Sequence, residues 1–122
     1  MARVLIIEDN PTNLKLATFL LQSVGHTVLS ATDAEAGLTA ARAEQPDLIL
    51  MDVQLPGMNG LEATIQLKAD PATRAIPVVA LTALAMKGDE ERIRAAGCDG
   101  YIAKPMRYQA LITTVATHLS RP

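Results

Sequence analysis

A chain of 122 residues, 49% apolar and 20% charged, suits one domain with its own hydrophobic core and excludes a disordered polymer. A net charge of −2 without any Lys/Arg run, and only Phe19, Tyr101 and Tyr108 as aromatics, exclude a phosphate-tracking basic stripe and a base-stacking platform, so no direct nucleic-acid binding is expected. Cys98 is the sole cysteine and is expected to be a small buried residue. With no disulfide within the chain, and an N-terminal apolar stretch too short for a signal peptide or a span, a cytoplasmic protein with no membrane contact is expected.

In chain order, short aliphatic runs alternate with stretches of helical period. "RVLII" (3–7) reads as a strand, followed by a helix over 11–23 that Asn10 can cap and whose first position suits Pro11. Leu16, Ala17, Leu20, Leu21 and Val24 share one face of that helix and are expected to meet the core, with Leu14 and Phe19 off the stripe. Gly25 and His26 end it. "TVLSA" (27–31) is the second strand, and a helix over 33–44 lines Ala34, Leu38 and Ala41 along one face before Pro46 stops it. "LILM" (48–51) precedes a helix over 60–69, and "PVVAL" (77–81) one over 86–96. In that fourth helix "GDEERIRAAG" sets acids ahead of Arg92 and Arg94, the order the helix dipole favours, and Gly97 terminates it. "GYIA" (100–103) and a helix over 106–119 complete the chain.

Such alternation predicts βαβ units and an α/β, doubly wound parallel sheet of five strands with helices on both faces, as one domain over residues 1–122. The first, third and fourth strands are almost continuously apolar, as central strands covered on both sides must be. Ligands in open sheets of this kind bind beyond the carboxyl ends of the strands. Glu8 and Asp9 stand at that end of the first strand and Asp52 at that end of the third. If those strands are neighbours, three carboxylates converge and oppose one another's ionisation. A divalent cation removes the conflict, and magnesium suits an all-oxygen site that also receives phosphate. Asp9, Asp52 and the backbone carbonyl of Gln54 are the expected ligands, with Glu8 acting through a water. Thr82 and Lys104 close the fourth and fifth strands. A hydroxyl and an ammonium beside a metal site can stabilise a phosphoryl group on Asp52, which is then expected to be an accessible nucleophile.

"IIEDN", "DLILMDVQLPGMNG", "VVALTA" and "YIAKP", in this order and spacing, resemble the receiver domains of bacterial two-component response regulators over essentially the whole chain. The resemblance implies a flavodoxin-like (βα)5 fold of strand order 2-1-3-4-5. It also implies an acidic pocket of Glu8 and Asp9, Asp52 as phosphoacceptor, and Thr82 and Lys104 on the phosphoryl group. Tyr101 matches an aromatic switch position, and the Lys104–Pro105 peptide is expected to be cis. "MDVQLPGMNGLE" with "ALTALAMKGDEERIRAAGCDGYIAKP" resembles more narrowly the DivK type, single-domain receivers governing polar differentiation and the cell cycle. The implied protein is a stand-alone regulator that takes its phosphoryl group from a histidine kinase or histidine phosphotransfer protein. It would signal to a target protein through the fourth helix, fifth strand and fifth helix. Gln54 and Leu84 are expected to set the phosphate lifetime, and Leu14, Lys15 and Thr18 to meet the donor.

Three alternatives stand beside this reading. A phosphatase with an aspartyl-phosphate intermediate commonly has a second acid two residues beyond the nucleophile, where Gln54 stands. Turnover of phosphoester substrates is therefore not expected, and catalysis is limited to the protein's own phosphorylation and slow self-hydrolysis. A flavin module would need a Gly- or Ser/Thr-rich phosphate loop after the first strand, where the chain has Glu8, Asp9 and Asn10. A receiver fold that binds partners without phosphorylation is the third.

Overall fold

The computed structural model describes residues 2–83, 87–105 and 107–119. Five strands alternate with five helices: β1 (Arg3–Ile7), α1 (Pro11–Ser23), β2 (Thr27–Ala31), α2 (Ala34–Glu44), β3 (Leu48–Asp52), α3 (Gly60–Ala69), β4 (Val78–Thr82), α4 (Lys87–Ala95), β5 (Gly100–Ala103) and α5 (Tyr108–Leu119). All strand pairs are parallel, in the order β2-β1-β3-β4-β5. The expected fold is therefore the observed one. Asp52 and Thr82 are the last residues of their strands rather than the first beyond them.

Because side chains alternate across a strand, each central strand feeds two cores. Leu5, Ile7, Ile49, Met51, Val78 and Ala80 point to the layer of α2, α3 and α4. Val4, Ile6, Leu48, Leu50, Val79 and Leu81 point to the layer of α1 and α5, where Ala17, Leu20, Leu21, Leu111 and Val115 cover them. With both faces dry, the strands have no room for polar residues except at their ends.

Local chemistry sets the boundaries. Asn10 Oδ1 accepts the Asn13 amide at 3.0 Å, with Pro11 in the first turn. Asp33 caps α2, so that helix begins one residue later than its pattern suggests, and Gln45, at φ +48°, ends it before Pro46. Gly25 and Gly97, at φ +94° and +104°, take the left-handed geometry that a helix terminator needs. In α4, Arg92 and Arg94 pair back to Asp89 and Glu90 at 3.5 and 3.2 Å.

The α1 stripe is rotated from the expected one. Leu14 is half-buried and packs on the α1/α5 core, whereas Leu16 and Val24 are 41% and 43% exposed. Leu14 thus follows Ala17 and Leu21 at helical spacing, and the outward side carries Leu16 and Phe19.

At the amino-terminal edge of the sheet, the Lys68 ammonium donates to the carbonyls of Ile76 and Arg74 at 2.8 and 3.2 Å and to Asp99 Oδ2 at 3.0 Å. Asp99 Oδ2 also accepts the Val78 amide at 2.8 Å, tying α3 to the starts of β4 and β5.

At the opposite edge, α3 starts against β3. Asn59 and Glu62 form a reciprocal capping box, and the Gly60 amide donates to the Val53 carbonyl at 2.9 Å. A Cβ on Gly60 would overlap the Asp52 carbonyl and lie 2.9 Å from the Val53 Cα. The obstacle is backbone and cannot swing aside. Gly60→Ala is expected to cost roughly 1–3 kcal/mol in urea denaturation, and an unchanged midpoint would show that this approach is not a constraint.

Candidate functional site

Strand register brings the expected residues to one edge. Ile7 pairs with Met51, Asp52 with Leu81, and Thr82 with Ala103. Glu8, Asp9, Asp52, Thr82 and Lys104 therefore emerge side by side from β1, β3, β4 and β5. Backbone bonds continue the sheet into the site: Val53 N–H donates to Leu81 at 3.0 Å and Lys104 N–H to Thr82 at 2.8 Å.

Glu8, Asp9 and Asp52 each present a carboxylate oxygen within 4.8 Å of the others. Glu8, Asp52 and Thr82 are buried, and Asp9 is exposed. The Lys104 ammonium sits between two of the acids, 3.0 Å from Asp52 Oδ2 and 3.1 Å from Glu8 Oε1. Asp52 Oδ1 accepts the Gln54 amide at 3.0 Å. The Asp52 side chain is only 3% exposed and both of its oxygens are engaged. This corrects the expectation of an accessible nucleophile: the ammonium covers it and must give up an oxygen before that oxygen can react.

Burial raises the Glu8 carboxyl to about 7, and its contact with Asp52 adds to the rise against the opposing pull of Lys104. Burial alone would lower Lys104, but Asp52 and Glu8 beside it outweigh burial and hold its pKa above the ordinary lysine value. The cluster is short of positive charge. Three ionised carboxylates facing one ammonium leave two negative charges, which a divalent cation matches. Glu8 Oε1 is buried with no hydrogen-bond partner among the described residues; the ammonium at 3.1 Å meets it as a charge. An oxygen-rich donor set whose buried Glu8 oxygen is met only by an ammonium fits a hard divalent ion.

Gln54 is exposed, and its backbone lies within the turn that follows Asp52. Tyr101 is half-buried against the α2–α4 layer. It shares with Lys104, Pro105, Arg107, Ala110 and Thr114 a groove of about 340 Å³ between β5 and α5. The Lys104–Pro105 peptide is cis. Lys15 is exposed on α1, Thr18 is half-buried, and Leu14 turns inward as described. Leu84 lies outside the described residues. Gly60 and the Asn59–Glu62 box, which fix the backbone under Asp52, escaped the sequence reading. An Asn followed three residues later by Glu was the available signal.

The model of the response regulator receiver domain matches residues 4–116 of the chain. The chain belongs to the response regulator receiver family. Among curated relatives, the polar-differentiation response regulator DivK of Brucella anthropi is 48% identical over 116 residues, covering 95% of this chain and 94% of that protein. Among solved structures, the chemotaxis response regulator CheY4 of Vibrio cholerae superposes with a TM-score of 0.92 at 26% identity, over 97% of this chain and 98% of that one. The receiver domain of the sensor histidine kinase PA1611 of Pseudomonas aeruginosa, solved with a magnesium ion coordinated in its active-site cleft, gives 0.91 at 33% identity over 98% of both chains. This receiver is thus a regulatory module of two-component signalling. Among its described residues no helix is long and apolar enough to cross a membrane.

The raised Glu8 has a measurable consequence in the metal-free receiver. Its folded state holds a proton that the unfolded chain has released, so stability falls as pH rises from the unfolded value of 4.5 through about 7. Asp70, lowered by the Ala72 amide and Arg42, works in the opposite sense, but its contribution is lost only below its ordinary 3.8. Denaturant titrations of metal-free protein should therefore show declining stability across that window, and Glu8→Gln should flatten the decline. Stability that is flat or increases with pH would contradict the assignment.

Proposed function

We propose that this receiver is a phosphoacceptor switch, with Asp52 taking a phosphoryl group from a histidine kinase or a histidine phosphotransfer protein. The observation that carries the reading is Asp52 itself: a buried carboxylate at a strand end, 3.0 Å from an ammonium, with two further acids within 4.8 Å. A purely structural ion pair would need neither Asp9 nor the excess of negative charge.

Glu8, Asp9, Asp52 and the Gln54 carbonyl would hold Mg²⁺, which when bound supplies positive charge to the oxygens of the incoming phosphoryl group. A carboxylate oxygen of Asp52 attacks phosphorus, the P–N bond of the donor phosphohistidine breaks, and its electron pair returns to the imidazole nitrogen. Lys104, released from Asp52, follows the charge onto a phosphoryl oxygen, and the Thr82 hydroxyl donates to another. Attack of water on phosphorus later breaks the acyl-phosphate P–O bond and restores the carboxylate. Gln54, exposed two residues beyond Asp52, would guide or shield that water.

Displacement of Lys104 and Thr82 couples the site to its surroundings. Both adjoin β5, and Tyr101 lies in the same groove as Lys104. Phosphorylation would shift the population of arrangements on the α4–β5–α5 face, where a target protein reads it.

With magnesium and a small phosphodonor, the wild type is expected to gain one base-labile phosphate by intact-mass measurement, and Asp52→Asn none. Equal labelling of the two would remove Asp52 from its role, and a wild type that gains no phosphate would leave the phosphorylation-independent binding module in its place.

For the histidine donor, the relevant edge of α1 is Lys15 and Leu16, since Leu14 is turned toward the core. Leu16→Asp is expected to slow phosphotransfer from the cognate histidine protein by about tenfold, the effect of losing a modest interface anchor, without changing small-donor labelling. Equal loss in both assays would point instead to a disturbed fold.

A further inference from the structure

The first amides of a helix have no partner within it and must find acceptors elsewhere. At the start of α3 the cap supplies most of them. Asn59 Oδ1 accepts the Leu61 and Glu62 amides, both at 2.9 Å, and the Asn59 amide donates to Glu62 Oε1 at 3.4 Å. The remaining amide, that of Gly60, donates at 2.9 Å to the carbonyl of Val53, the residue directly after Asp52. That carbonyl and the Gln54 N–H are the two ends of one planar peptide. The Gln54 N–H donates in turn to Asp52 Oδ1 at 3.0 Å. The Val53–Gln54 peptide is thus pinned twice, by the first amide of α3 and by the Asp52 carboxylate. The Val53 amide is held by the Leu81 carbonyl, and the Val53 and Leu55 side chains are buried in the α2–α4 core. The motion left to this segment is rotation of the peptide plane between the Cα atoms of Val53 and Gln54.

We propose that Asn59 is a positioning residue for the metal-binding oxygens at this edge, acting through the Gly60 amide and the Val53–Gln54 peptide. The inference rests on the reading of Glu8, Asp9, Asp52 and the Gln54 carbonyl as the Mg²⁺ site. By satisfying the Leu61 and Glu62 amides, Asn59 fixes the start of α3 and with it the direction of the Gly60 N–H. That N–H sets the tilt of the Val53–Gln54 peptide. The tilt governs whether the Gln54 N–H reaches Asp52 Oδ1, and it sets the backbone from which the Gln54 carbonyl departs.

A cap serving helix stability alone needs less than this. Asn10 and Asp33 each cap their helix with one side-chain bond, to the Asn13 and Ala36 amides. The Asn59 cap is reciprocal, and the helix it starts lies directly on the backbone of the site. A Cβ on Gly60 would overlap the Asp52 carbonyl, so no side chain stands between α3 and β3 to absorb a displacement. Groups that orient a metal's ligands without touching the ion change its affinity by about ten- to a hundredfold. Asn59 works through two backbone bonds, which sets the expected effect at the lower end, about tenfold.

Amide hydrogen exchange and Mg²⁺ titration calorimetry on the metal-free receiver test this together. In Asn59→Ala the Gly60 and Gln54 amides should exchange about fivefold faster than in the wild type, the effect of losing a cap. The Mg²⁺ dissociation constant of the same variant should rise about tenfold. Asn59→Ser, which keeps a neutral capping oxygen, should return both readings to within about twofold of wild type. Lys68→Met removes the anchor of α3 at the opposite edge of the sheet. It should lower the urea midpoint and leave Mg²⁺ affinity unchanged. Undiminished Mg²⁺ affinity in Asn59→Ala, or equal weakening in Lys68→Met, overturns the inference and leaves the phosphoacceptor reading standing. A wild type that takes up no Mg²⁺ overturns both.

Discussion

Everything in this receiver depends on three carboxylates held together at the carboxyl edge of a dry sheet. In the metal-free arrangement Lys104 answers part of that negative charge, bridging Asp52 and Glu8 at 3.0 and 3.1 Å. The remainder is borne by Glu8, whose carboxyl burial pushes up to about 7. Such a cluster is held at a cost, and the cost can be relieved in two ways: protonation, or a divalent ion. The second relief leaves Asp52 ionised, which is the state a nucleophile needs. In the proposed function, the ion pair and the metal-loaded site are therefore two occupancies of the same oxygens.

The sheet makes the crowding unavoidable. β1 and β3 are adjacent and buried on both faces, so their polar residues can lie only where the strands stop. The register then sets Ile7 against Met51, and the next residue of each strand is an acid. Gly60 lets α3 begin directly on the Asp52–Val53 backbone and stiffens the platform under Asp52. On the far side, Thr82 and Lys104 share a backbone bond, so displacement at one is felt at the other. Packing and chemistry are joined at the same few residues.

Much of this was legible in the sequence because it rests on period and punctuation. Doubly apolar strands, Asn10 before Pro11, and acids following apolar runs identify elements and strand ends without reference to distant residues. The rotation of α1 was less legible. Leu14, Leu16, Phe19, Leu20 and Leu21 wrap more than half the helix, so spacing alone allows more than one stripe; the position of β1, β3 and α5 chooses Leu14 over Leu16. The burial of Asp52 was also hidden, since it depends on where the Lys104 ammonium comes to rest. Gly60 could be read only as a helix start, because the close approach that requires it comes from the path of β3.

Titration calorimetry with Mg²⁺ on the metal-free receiver tests the crowding of acids most directly. One ion per chain is expected, with proton release near neutral pH as Glu8 ionises and with uptake lost in Asp9→Asn and in Asp52→Asn. Absence of a binding heat in wild type across buffers of different ionisation enthalpy, or full uptake retained in both variants, would contradict a divalent site built from Glu8, Asp9 and Asp52.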